Sequence, residues 1–196
     1  GQHVDFEKIH TEGITKITTE DMKYAKKLNM AIKLLASSKR VGDTFSVLVA
    51  PMLLSEEHPL CNVNDVFNAV FVRGNMLGDA MFYGSGAGKL PTASAVVADV
   101  VDAAKHLHRN VVTRWDAGEL ELIPNAEAEH RFFVRVQGRS EAQKEQIREA
   151  FGSVEIVETE GLEDEFGFIT EVMTEGTYSK KAEAFPEIIH MIRLAD

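Results

Sequence analysis

The stretch "MFYGSGAGKLPTASAVVADVV", residues 81–101, carries the first decision about the fold. An apolar run enters Gly84, Gly86 and Gly88. Pro91 then stands where a first helical residue is expected, and Val96, Val97, Val100, Val101 and Ala104 recur at helical spacing. The reading is strand, glycine loop, helix. Glycines at a helix entrance let backbone N–H groups approach an anion closely, so two phosphate-binding patterns bear on it. A Walker A loop needs Gly, four residues, then Gly-Lys and a hydroxyl residue. Here Tyr83 stands at the first glycine position and Leu90 at the hydroxyl position. The dinucleotide fingerprint Gly-x-Gly-x-x-Gly begins at Gly84 and Gly86 but meets Lys89 where its third glycine belongs, with no βαβ unit around it. From the residues alone, the loop reads as a tight strand-to-helix corner that needs backbone freedom.

Around this corner, 196 residues with 44% apolar content can build one large domain or two small ones. The 21 basic and 31 acidic residues leave a net charge of −10, which disfavours nucleic acid and anionic membranes as partners. No apolar run approaches the roughly 18 residues of a membrane span, and no signal peptide is recognisable, so the cytoplasm is the expected location. The single cysteine, Cys61, excludes an intramolecular disulfide and reads as a small semi-buried side chain. Gly1 stands where an initiator Met is expected, which suggests a piece of a longer protein.

The expected fold class is α+β. Thr18 or Thr19 starts a helix with Glu20 and Asp21 in its first turn. Extended segments follow at 31–37, 44–55, 64–75 and 78–84, with Gly74-Asn75 and Gly78 bracketing a hairpin connection. The helix after the glycine loop closes this block as a mixed sheet with helices on one face. Residues 109–130 form a polar connector without clear period. Beyond it, "RFFVRVQ", "SEAQKEQIREAFG", "VEIVETE", "EFGFITEVMT", "SKKAEAF" and "IIHMIRLA" give the order βαββαβ, a ferredoxin-like unit over 131–196.

The words "EGITKIT", "DMKYAKKL", "VFNAVFV" and "GDAMFYGSGAGKLPTASAVVADVVDAA", within residues 4–105, resemble the C-terminal part of homoserine dehydrogenase, and the tail resembles the ACT regulatory domain that many bacterial members append. The resemblance implies residues 1–108 as part of a catalytic and dimerisation domain, 109–130 as a linker and 131–196 as an ACT-like domain. It implies NAD(P)-dependent interconversion of L-homoserine and L-aspartate 4-semialdehyde. It also places Gly84, Ser85, Gly86 and Gly88 against a dinucleotide held mostly by another domain, with Gly84 the position carried over. The family's catalytic lysine and homoserine-binding acids fall in a stretch preceding Gly1, so no catalytic residue is expected within this chain and the chain alone is expected to be inactive. The partner implied is a second copy of the chain, through residues 31–84, with a tetramer reachable through the tails.

Other candidates carry less. His106 and His108 lie two apart on a helix end and point to different faces, and the remaining histidines lack ligand-like spacing, so no metal site is expected. Asp99 and Asp102 read as a solvated helix face. Lys89 is either a phosphate neutraliser or a solvated turn residue. Glu12 and Gly13 belong to a family word without an assigned chemical role. ACT domains usually hold an amino acid on an Asp-x-x-Gly turn. Here Gly138 and Glu141 occupy those positions, and Glu141 is expected to crowd the turn, so threonine binding is expected to be weak and the effector stays open. A non-enzymatic amino-acid-binding or oligomerisation module is the alternative reading.

Overall fold

The computed structural model describes residues 1–195. In chain order the elements are β1 (His10–Thr11), α1 (Thr19–Lys27), β2 (Met30–Val41), β3 (Thr44–Ser55), β4 (Phe67–Gly74), β5 (Gly78–Ser85), α2 (Lys89–Lys105), β6 (Glu129–His130), β7 (Phe132–Gln137), α3 (Glu141–Phe151), β8 (Val154–Val157), β9 (Glu165–Thr170), β10 (Met173–Thr174), α4 (Glu175–Ala182) and β11 (Ile188–Leu194). The architecture is α+β, as the sequence implies. The chain divides into two compact units: Glu56–Asp116 with Gly1, and Gln2–Ser55 with the chain from Ala117 onward. This division cuts the chain differently from boundaries at 108 and 130.

In the larger unit the tail follows the expected order β7-α3-β8-β9-α4-β11, and its strands lie side by side as β11-β7-β9-β8 with every neighbour antiparallel. That arrangement is the ferredoxin-like sheet. Alternation along β7 sends Phe132, Val134 and Val136 to one face, where they pack with Ile147 and Phe151 of α3 and Tyr178 of α4. Phe133 points the other way and joins Tyr24 and Ala25 of α1, Leu53, Ile169 and Ile192. A strand buried on both faces reads as a continuous apolar run, and "RFFVRV" is close to one.

The tail's sheet continues into the N-terminal segment. β11 pairs in parallel with β3 at Arg193↔Met52 and Leu194↔Leu53, and β3 pairs along its whole length with β2. What the sequence suggests as two sheets is therefore one seven-stranded mixed sheet. On the same side of β3, β1 pairs with Leu48 and Val49. Pro51 falls in the gap between these two partners, where its missing N–H removes no ladder bond. Residues 117–130 join this unit through bridges His3↔Glu119 and Phe45↔Leu122, so only residues 109–116 of the expected connector lie outside it.

α1 starts as expected at Thr18. Its hydroxyl accepts from the Asp21 N–H, and the Asp21 carboxylate accepts from the Thr18 N–H at 2.8 Å. Asn29 ends the turn at φ 53°, a conformation that Asn tolerates better than most residues.

In the smaller unit β4 and β5 form a separate antiparallel hairpin, in register from Phe67↔Ser85 to Gly74↔Gly78. Gly78 sits at φ 76°, as the bracketing glycines led us to expect. One face presents Phe67, stacked on Tyr83 at 4.9 Å, and Phe71, edge-on to His58 at 5.1 Å. The other presents Val70, Val72 and Phe82, all exposed, with Asn68 at the end of the row. No residue of α2 is buried. Among the described residues no helix is long and apolar enough to cross a membrane.

Candidate functional site

β5 delivers the chain to the glycine loop at Ser85, and α2 begins at Lys89. Pro91 is thus the third helical residue, two positions later than expected. The cause is Gly88, which takes the N-cap position itself at φ 121° and ψ 151° and pulls Lys89 and Leu90 into the helix. No side chain caps this end, and the first turn carries no acid. Its N–H groups and the positive end of the helix dipole are therefore open to an anion.

Two of the three glycines have a reason within the chain to be glycine. Gly88 needs its left-handed φ. Gly86 has an ordinary φ, yet a Cβ there would lie 2.7 Å from Cγ of Asn68 and 3.3 Å from its Cβ. Gly84 meets neither demand, because its φ is not left-handed and a Cβ would find nothing within 4 Å. The space over Gly84 is open to a group from outside the chain. Gly84, Ser85, Gly86 and Gly88 are all exposed, and the exposed Lys89 adds a cation beside the open N–H groups, an arrangement suited to an anion.

The larger unit holds what sequence reasoning missed. Glu12 accepts from Nη2 of Arg193 at 2.9 Å and contacts Nε2 of His10 at 2.6 Å, while Nε of Arg193 donates to Glu175. Burial works against the charged form of Glu12, but the bonds from Arg193 and His10 prevail and hold its carboxyl at about 2. A second network lies nearby. Arg135 donates to Asp21 at 2.9 Å and to both carboxylate oxygens of Glu165 at 3.0 and 2.7 Å, and Nδ1 of His190 lies 3.1 Å from Asp21. Burial again opposes ionisation of Asp21, and His190 with Arg135 outweighs it, leaving the carboxyl at about 2. A cleft of about 240 Å³ opens beside these groups, lined by Thr11, Glu12, Gly13, Lys16, His190 and Ile192 among others. Every buried charge named here is paired, so the networks act as structural clamps between residues 10–21 and the tail. The missed signal was Glu12 itself, whose partners lie more than 160 residues away or on β1.

At the tail's turn the expectation for Glu141 needs correcting. Its side chain is exposed and pairs with Lys144 at 2.6 Å. The group that crowds Gly138, at φ 105°, is Gln143, whose Cδ would lie 2.9 Å from a Cβ at that glycine. Gln143 is held there as the N3 partner of the Ser140 capping box, with Nε2 donating to the Gln137 carbonyl at 3.2 Å. Asp99 and Asp102 are exposed, in keeping with a solvated helix face. His106 contacts the Asp102 carbonyl at 2.9 Å at the end of α2, and Cys61 is buried.

The homoserine dehydrogenase family model matches residues 1–101, and the chain belongs to that family of oxidoreductases, whose members in general depend on NAD(P). Among curated relatives, a homoserine dehydrogenase of Neisseria gonorrhoeae is 36% identical over 72% of this chain and 34% of its own length. One of Mycobacterium bovis is 32% identical over 92% of this chain and 45% of its own. The crystal structure of a homoserine dehydrogenase from Thiobacillus denitrificans superposes with a TM-score of 0.83 at 30% identity, covering 98% of this chain and 48% of that one. The chain thus spans a third to a half of the length of these relatives.

Proposed function

We propose that this chain is the C-terminal part of a homoserine dehydrogenase that interconverts L-homoserine and L-aspartate 4-semialdehyde in the aspartate route to threonine and methionine. The observation that carries the reading is Gly84: in a family of NAD(P)-dependent enzymes, a glycine that nothing within its own chain requires borders an exposed loop and an uncapped helix start. The dinucleotide, when bound, supplies the hydride acceptor or donor. The part played by this chain is to bring the backbone of Gly84, Ser85, Gly86 and Gly88 close to it, with the α2 N-terminus favouring its negative charge. The main nucleotide site and the catalytic lysine belong to the remainder of the enzyme. On this reading residues 1–108 derive from the catalytic domain, 109–130 from a linker and 131–196 from an ACT-like domain, and the enzyme works in the cytoplasm. The Gln143 plug over Gly138 supports a tail that serves assembly more than threonine sensing.

In the whole enzyme Gly84→Val is expected to raise the dinucleotide KM roughly tenfold or more, leaving the homoserine KM and the unfolding midpoint little changed, because Val suits a strand position with open space above it. The isolated chain is expected to show no homoserine oxidation. An unchanged dinucleotide KM in a folded variant would overturn the role of the loop.

A homodimer through residues 31–84 belongs to the same proposal. The exposed row Val70, Val72 and Phe82 supports it, since soluble monomers seldom leave such a surface uncovered. Light scattering at low micromolar concentration is expected to give at least twice the chain mass of 21.7 kDa. A monomer mass would refute it.

A further inference from the structure

We propose that Asn68 is a positioning residue for the glycine loop: its amide fills the space over Gly86 and thereby sets the course of the backbone from Ser85 to Gly88. The proposal rests on the reading that this loop meets the dinucleotide. Asn68 pairs with Gly84 across the hairpin, so its side chain leaves the sheet beside both glycines. Along its face the following residues, Val70 and Val72, are apolar, as is Phe82 opposite, and Asn68 is the polar exception in that row. The Gly86 N–H donates to the carbonyl of Val66 at 3.2 Å, two residues before Asn68, which draws the loop back over the start of β4.

Gly86 has no left-handed φ to explain its identity, so the close approach of Asn68 is the explanation that remains. A Cβ at residue 86 and the amide of Asn68 exclude one another. The Cβ of Asn68 is fixed by its strand, 3.3 Å from the hypothetical one, and only the amide can swing away into solvent. Losing the amide, or adding a methyl at residue 86, leaves the loop without the side chain that props it. Both changes then act through the same contact, and contacts of this kind betray themselves by failing to add.

The test uses the whole enzyme with Gly86→Ala, Asn68→Gly, Asn68→Ala and the double variant Gly86→Ala/Asn68→Gly, reading the KM for dinucleotide and for homoserine together with the unfolding midpoint. Gly86→Ala is expected to raise the dinucleotide KM by about 5- to 10-fold with the homoserine KM unchanged. Asn68→Gly and Asn68→Ala should raise it less, and in the Asn68→Gly background the added methyl should cost little more. Effects that multiply independently, or a Gly86→Ala enzyme with an unchanged dinucleotide KM while Gly84→Val still shifts it, would overturn the proposal. If Gly84→Val also leaves that KM unchanged, the dinucleotide reading itself has failed. Asn68 is then judged by the midpoints alone: non-additive midpoints sustain the contact, additive ones refute it.

Discussion

β9 and α2 are both rich in apolar residues, and their surroundings differ completely. Each residue of β9, from Glu165 to Thr170, is buried, whereas no residue of α2 is, and Val100 keeps 62% of its surface exposed. In the larger unit two apolar faces of one sheet are both covered, by α3 and α4 on one side and α1 on the other. In the smaller unit the hairpin β4–β5 offers an apolar row, Val70, Val72 and Phe82, that nothing within that unit covers. An apolar stripe states that a surface is meant to be buried, and it is silent about what buries it. The larger unit carries its own cover, while the smaller one leaves its apolar stripe open.

That contrast breaks if matched truncations behave alike. Phe166→Ala, at a fully buried position, should lower the stability of the chain by about 3–5 kcal/mol, and Phe82→Ala, at a position 69% exposed, by no more than about 0.5 kcal/mol, both read by urea unfolding. In the assembled enzyme Phe82→Ala should instead weaken self-association. Equal losses in the isolated chain would show that Phe82 already has a cover.

The clamps of the larger unit sharpen the same comparison. Arg135→Ala leaves Asp21 and Glu165 buried without their shared cation and should cost about 3 kcal/mol or more, again by urea unfolding. Arg135→Lys should recover little of it, since one ammonium cannot reproduce a guanidinium that reaches both carboxylates. The exposed pair Arg73–Asp79 in the smaller unit should give almost nothing on truncation.

Acid should reach the larger unit through Asp21 and Glu12. Both carboxyls are held at about 2, below their ordinary values of 3.8 and 4.5, so their contribution is complete above the ordinary values and is lost as pH falls towards 2. Asp21, whose side chain is fully buried, should account for on the order of 2 kcal/mol, and Glu12, with 38% of its side chain exposed, for less. Asp21→Asn should flatten the pH dependence of the unfolding midpoint across that interval. An unaltered slope would mean that the network around Arg135 does not govern acid stability.

Local features were legible in the sequence because their causes are local. The Ser140–Gln143 capping box, the α1 start at Thr18 and the turn at Gly78 each depend on residues within a few positions of one another. The glycine loop was legible as a strand-to-helix corner. The division of labour among Gly84, Gly86 and Gly88 was not, because it depends on Asn68 of the neighbouring strand. The union of two expected sheets through β3 and β11 was likewise out of reach, since residues 52 and 193 are joined by backbone bonds that no side-chain pattern encodes. Glu12 showed the same limit: its role lies with Arg193.

The parallel pairing of β3 with β11 also imposes an order in time. A ribosome that has released β3 must still add about 140 residues before β11 emerges, which takes on the order of ten seconds or more at ordinary synthesis rates. Through that interval the buried residues Met52 and Leu53 lie on an open strand edge, able to pair with any other extended chain. At this edge of β3 the hazard of aggregation is concentrated in translation, and it ends when β11 pairs with β3.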